Sequence, residues 1–135
     1  MRDQHTQPAY IISASHVEDS QKQNDEATSL LELGLTRHKI PHKPVRGHYL
    51  GADEDSFLCV PRNDDDERLL LSFARIYCQE SVLYLDEDRN ATLFFTVGND
   101  RINLGKFRET SRLNAAESEG WTFDPSTNTY YICGE

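Results

Sequence analysis

Two helical stretches set among short β-like runs constrain this chain most. The first covers about residues 20–36. Ser20-x-x-Gln23 offers a capping box, and Ala27, Leu30, Leu31, Gly34 and Leu35 recur at helical spacing while Asp25, Glu26 and Glu32 face water. Gly34 marks either the end of this helix or a close packing contact. The second covers about residues 64–78. Asp64-x-x-Glu67 puts carboxylates at the positive end of the helix dipole, and Leu70, Phe73, Ala74 and Tyr77 form an i, i+3, i+4, i+7 stripe.

Strand-like runs lie around these helices: residues 9–15 before the first, 56–60 up to Pro61, and 81–85 after the second. Residues 37–48 are basic and broken by Pro41, Pro44 and Gly47, which predicts a loop leading into a short strand. Further strands are expected at 91–97 and 101–107, then a polar loop over 108–120. Residues 121–123 and 130–133 flank a turn at 124–129 and predict a closing hairpin. The order β-α-β-β-α-β predicts an α+β, ferredoxin-like sandwich: a mainly antiparallel sheet, two helices on one face, and C-terminal hairpins that extend the sheet or pack on a neighbour. At 135 residues this is a single domain over 9–135, preceded by a disordered polar tail at 1–8.

Charge narrows the function. Fourteen basic against 23 acidic residues give a net charge of −9, which disfavours nucleic acid and anionic membrane as partners. No apolar run approaches the roughly 20 residues of a membrane helix, and the first residues lack the apolar stretch of a signal peptide. Cys59, Cys78 and Cys133 are an odd set without short pairing, so free thiols and a cytoplasmic location are expected. His38-x3-His42 has nominal metal spacing, but Pro41 prevents the helix that would align the rings, so no metal is expected. Nucleotide-binding glycine loops and the G-x-S-x-G elbow are missing from the chain.

One segment stands out for chemistry. In Gly47-His48-Tyr49-Leu50-Gly51-Ala52-Asp53-Glu54-Asp55-Ser56-Phe57, two glycines flank a tyrosine and an acidic cluster leads into a buried strand. This is either an acidic turn or a loop that places Tyr49 and a carboxylate over a ligand. Glu54, next to the rigid strand, is the better candidate than Asp53 or Asp55. Ser13 and Ser15 lie between the first strand and first helix, where backbone N–H groups can hold a carboxylate or ribose. Asn24 in the first helix and Gln79-Glu80 after the second are weaker signals taken singly.

In chain order, these pieces resemble a known family. They are Tyr10-Ile11-Ile12-Ser13-Ala14 leading into a helix with Asn24 and Leu30; Gly47-x-Tyr49 before Glu54 and the strand Ser56-Phe57-Leu58-Cys59-Val60; Ala74-Arg75 and Cys78 leading to Gln79-Glu80-Ser81-Val82-Leu83-Tyr84; and Trp121-Thr122-Phe123-Asp124 before an aromatic strand. The order is similar to that of the phage-encoded S-adenosylmethionine (SAM) lyases, formerly called SAM hydrolases, over about residues 9–133. The resemblance implies attack of the substrate carboxylate on its own γ-carbon, giving 5′-methylthioadenosine and L-homoserine lactone. It also implies a PII-like homotrimer with the ligand between subunits, no cofactor, and depletion of host SAM that counters SAM-dependent restriction. The site residues it implies are Glu54 and Tyr49 for catalysis, with Ser13, Ala14, Ser15, His16, Asn24, Phe57, Gln79 and Glu80 binding substrate. Tyr49 and Phe57 offer aromatic surface to adenine or the sulfonium, a cation over a ring gaining about 0.5–2 kcal/mol.

Such chemistry suits a small chain. The substrate carries both nucleophile and leaving group, so holding the reactive conformer removes much of the barrier. Two other readings stand beside it. One is true hydrolysis to methylthioadenosine and homoserine, with Glu54 as general base to a water. The other is a non-catalytic PII-like binding or inhibitor protein acting through its acidic surface.

Overall fold

In the computed structural model, residues 7–16, 18–49, 52–98 and 100–134 are described, the side chain of Tyr49 excepted. Most of the tail expected over 1–8, residues 1–6, lies outside them. The elements run β1 (Ala9–Ser13), α1 (Gln21–Arg37), β2 (His42–Tyr49), β3 (Ala52–Cys59), α2 (Asp64–Ile76), β4 (Ser81–Leu85), β5 (Asn90–Phe95), β6 (Arg101–Thr110), α3 (Arg112–Glu117), β7 (Gly120–Asp124) and β8 (Thr129–Gly134).

Local sequence explains both long helices. Ser20 accepts a hydrogen bond from Gln23 N and the Gln23 side chain returns one to the Ser20 backbone, completing the expected capping box. The cap of α2 is Asn63, one residue before the expected start, and its side chain accepts from Asp66 N. Both helices end in the same way. Lys39 and Cys78 take positive φ angles of 58° and 56°, and the next residue bonds back, Ile40 N to Leu35 O at 3.0 Å and Gln79 N to Ala74 O at 2.8 Å. Gly34 is a packing contact: a Cβ there would meet Phe73 Cζ of α2 at 3.0 Å.

The sheet is a closed eight-stranded antiparallel barrel in the order β1-β3-β2-β7-β8-β6-β5-β4, among the described residues. This overturns the expected ferredoxin-like and PII-like sandwich with two helices on one face. The element order β-α-β-β-α-β is present, but β5 pairs with β4 and β7 pairs with β2, so the C-terminal strands join both edges of the β4-β1-β3-β2 segment. Closure satisfies the backbone groups that an open sheet would leave at its edges.

Two further expectations are corrected. Residues 42–49 form strand β2 rather than loop. Pro44 is tolerated because β7 joins only from Arg46 onward, so at Pro44 the ladder runs on the β3 side alone, opposite Phe57. Residues 108–120 are not mostly loop either. Strand β6 continues to Thr110, held by β8 through the pair Thr110 and Tyr130, and Ser111 then caps α3.

The strands under the helices are buried on both faces. Tyr10, Ile12, Phe57, Cys59 and Val82 meet Leu31, Leu35, Leu70 and Ala74 of the helices. The alternate residues Ala9, Ile11, Leu58, Leu83 and Leu85 fill the barrel with Phe107 and Ala91. That explains why β1 is an unbroken apolar run rather than an alternating one. Tyr10 donates its hydroxyl to Glu67 at 2.6 Å, which ties α2 to β1, and its ring meets that of Tyr84 at a tilt, 5.0 Å between centroids.

One ion pair lies within the barrel. Asp124, at the end of β7, has only 3% of its side chain exposed and pairs with Lys43 of β2. Ser126 adds two donors to Asp124, from its amide at 2.9 Å and its hydroxyl at 2.6 Å. Burial alone would raise the Asp124 pKa, but the Lys43 and Ser126 hydrogen bonds outweigh it and hold the carboxyl below the usual range. The pair therefore stabilises the fold above the ordinary carboxylate pKa, and that contribution disappears as pH falls through the lowered value. Lys43→Met should cost about 1–3 kcal/mol at pH 7 in urea denaturation, because it takes the cation from the Asp124 carboxylate while water still reaches the partly exposed Lys43 side. Lys43→Met/Asp124→Asn should recover most of that loss.

Candidate functional site

The chain leaves the barrel at Ser13, and the three residues that follow are clamped from two sides. Ser13 donates its hydroxyl to Asp55 O at 2.8 Å and accepts from Ser15 N at 2.9 Å. Asn24 of α1 binds the His16 backbone twice, accepting from its N–H and donating to its carbonyl, both at 2.8 Å. From the other side Gln79 donates to Ser15 O at 3.2 Å. Gln79 is itself held by Thr96, whose hydroxyl donates to the Gln79 carbonyl at 2.7 Å. The His16 ring reaches Tyr77 O at 2.6 Å through Nε2. A carbonyl only accepts, so Nε2 carries a proton there.

Glu54 sits beside this clamp. It lies within β3, whose start at Ala52 precedes the residue 56 start expected from sequence. The three consecutive carboxylates differ in what faces them across β2. Asp53 is opposite His48 and pairs with it at 2.5 Å, and Asp55 is opposite Arg46 at 3.4 Å. Glu54 is opposite Gly47, which supplies no side chain. The Glu54 side chain is exposed, although neighbouring protein takes some water from its carboxyl. That desolvation is the largest influence on it and raises its pKa, while the charge of His16 and the hydroxyl of Ser13 pull the other way without cancelling it. A carboxyl that is reachable yet partly desolvated gains most from an arriving cation.

The neighbouring hairpin is braced by aromatic packing. The His48 ring stacks on Trp121 of β7 at 4.9 Å, nearly parallel, and Trp121 meets Tyr130 edge-on at 5.3 Å. Tyr49 ends β2 opposite Ala52 and Gly120, and its side chain lies outside the described residues.

Ser13, Ser15, His16, Asn24 and Gln79 are thus tied to one turn by hydrogen bonds, and Glu54 lies near Ser13 and His16. Ala14 is buried, so only its backbone can meet a ligand. Phe57 is a correction. It is 3% exposed, packed in the helix-side core and edge-on to His42 at 5.7 Å, and offers no face to a ligand. The reason is strand alternation: Glu54 and Phe57 are three residues apart on one strand and point to opposite faces. Glu80 is exposed, its carbonyl accepting from Thr96 N at 3.0 Å, and no contact joins its side chain to the cluster among the described residues. Sequence reasoning missed the Tyr77 carbonyl and Thr96. A backbone acceptor leaves no mark on residue type, so only the helix-end signal near 77–79 pointed there.

Other groups are placed apart from this chemistry. His38 lies near Phe73 and His42 bonds Ile40 O at 2.7 Å, and among the described residues no cluster of His, Cys, Asp or Glu is arranged to hold a metal ion. All three cysteines are free thiols. Burial pushes the Cys59 thiol up to about 12 and the Cys133 thiol up to about 11. No helix among the described residues is long and apolar enough to cross a membrane.

The family model of the S-adenosylmethionine lyase family matches residues 10–134, nearly the whole chain, and the chain belongs to that family. It is an S-adenosylmethionine lyase, with S-adenosylmethionine as its small-molecule substrate. No individually curated protein matches it.

The clamp has a direct consequence. Asn24→Ala removes two hydrogen bonds to the His16 backbone. It should cost about 1–3 kcal/mol in thermal or urea unfolding. Asn24→Asp, which keeps the acceptor and loses the donor, should cost less.

Proposed function

We propose that the substrate carboxylate attacks its own γ-carbon. The new C–O bond forms as the Cγ–S bond breaks, and the electron pair leaves with sulfur, which becomes a neutral thioether. The products are 5′-methylthioadenosine and L-homoserine lactone, with no water or proton consumed. Glu54 carries this reading: a carboxylate with a raised pKa beside the clamped segment 13–16, with no ion pair among the described residues. SAM brings an ammonium and a sulfonium against one carboxylate, so it supplies the counter-charge that Glu54 lacks. The net charge of −9 favours encounter with such a cation. Glu54 binds and orients the cationic end, leaving the substrate carboxylate free to react. The protein's own nucleophiles suit the step less well, since Ser13 is engaged with a carbonyl and Cys59 and Cys133 stay protonated at neutral pH.

Tyr49 is assigned to the same site as the aromatic partner of the substrate. Ser15, Gln79 and the backbone of Ala14 and His16 line its binding side. A homotrimer with sites between subunits remains part of the proposal, and the exposed setting of Glu54 suits a site completed by a neighbour. Exposed Leu30, Leu33 and Ile76 provide apolar helix surface for that contact. In a phage-infected cytoplasm the activity drains SAM from host methyltransferases and SAM-dependent restriction systems.

Product analysis tests the chemistry. Protein incubated with SAM in 18O-labelled water and quenched early should yield methylthioadenosine and unlabelled homoserine lactone. Immediate homoserine carrying one label at its hydroxyl would establish hydrolysis instead. Glu54→Gln should lower turnover by about 100-fold or more. The same change should leave thermal stability at pH 7 equal or higher, by less than about 1 kcal/mol, since water still screens this group. The sign follows from the raised pKa: ionising Glu54 disfavours the fold as pH rises through that value, so any gain vanishes in acid. Wild-type activity should fall as Glu54 protonates, at a pH above the ordinary carboxylate range.

A further inference from the structure

The barrel interior contains a second polar cluster that the reaction does not use. It lies toward the other end of β2, since Lys43 is four residues, about 13 Å, from the Gly47 position that faces Glu54. A cavity of about 130 Å³ opens there between Lys43, Leu58, Arg89, Phe107, Asp124 and Tyr131. At roughly 30 Å³ per water, it holds about four waters, the bulk of a carboxylic acid of roughly four carbons.

Among the described residues the charges lining this cavity do not balance. Lys43 and Asp124 neutralise each other. Arg89 is half-buried and donates one hydrogen bond, to Gln7 O at 2.9 Å, out of five N–H groups. Among the described residues no carboxylate lies within ion-pair distance of it. Asp86 is near in charge but is occupied by the Asn90 side chain at 3.0 Å and by the amides of Asp88 and Asn90. Desolvation lowers the Arg89 pKa, and burial raises that of Tyr131, so its hydroxyl stays a donor. The lining also has an apolar part: Leu58 and the ring of Phe107, stacked on Tyr131 at 4.7 Å and nearly parallel.

Among the described residues, a cation without an ion-pair partner, a hydroxyl donor and apolar lining together specify a ligand. We propose that this end of the barrel binds a small monocarboxylate, its carboxylate on Arg89 and Tyr131 and its alkyl part against Leu58 and Phe107. A dianion such as phosphate is disfavoured, because Asp124 faces the same space and only one positive charge is unmatched.

Titration of the full chain with sodium butyrate at constant ionic strength tests this, read by two-dimensional amide NMR. Butyrate should give saturable shifts at residues 43, 58, 89, 107 and 131, with phosphate and chloride giving weaker binding or none. Arg89→Gln should weaken butyrate binding by about tenfold or more while leaving SAM turnover unchanged. Should Arg89→Gln not fold, Tyr131→Phe keeps the ring stack and should weaken binding severalfold. The proposal is overturned by an absence of saturable shifts and by shifts centred on Glu54 and His16. It is equally overturned by phosphate binding more tightly than butyrate, or by affinity unchanged in the folded variant.

Discussion

Closure of the sheet governs everything else in this molecule. Strand β1 is central, paired to β3 on one side and β4 on the other, and its two faces are divided between the helix layer and the barrel interior. That division sends β1 straight from the core to Ser13, where the site begins. The four C-terminal strands then bridge β2 to β4 and remove the edges of the first segment. Edge protection is thus achieved within one chain. Association between subunits, if it completes the site, answers to substrate binding rather than to unpaired backbone.

The site inherits its properties from two features of that barrel. The helix-end geometry after α2 places Gln79 and the Tyr77 carbonyl against the β1–α1 turn, so one motif both ends a helix and holds that turn. The register of β2 and β3 sorts three adjacent acids by what lies opposite them. Two face basic side chains, His48 and Arg46. The third faces glycine and stays available. A shift of one residue in that register would exchange these roles.

Much of this was legible where the signal is local. Capping at Ser20, the stripe through Leu70 and Tyr77, and the turn before Thr129 depend on neighbours a few residues away, and they appear at about the expected positions. Strand β2 was hidden because the effect of Pro44 depends on which side is paired, and that partner lies nearly eighty residues further on. Closure itself was hidden for the same reason. Of the proposed site residues, Ser13, His16, Asn24, Glu54 and Gln79 each lie by an element end or an acidic cluster, which is the local signal that singles them out. Phe57 was assigned to the ligand although alternation along β3 sets it opposite to Glu54.

The stacking of His48 on Trp121 has an optical consequence. The chain contains a single tryptophan, and it sits against the hairpin that carries Glu54. Its emission therefore arises from one place, and a ring so close to a neighbouring imidazole responds to small changes in their separation. The protein has an intrinsic fluorophore at the edge of its own site, by which movement of the β2–β3 hairpin can be followed in real time without a label.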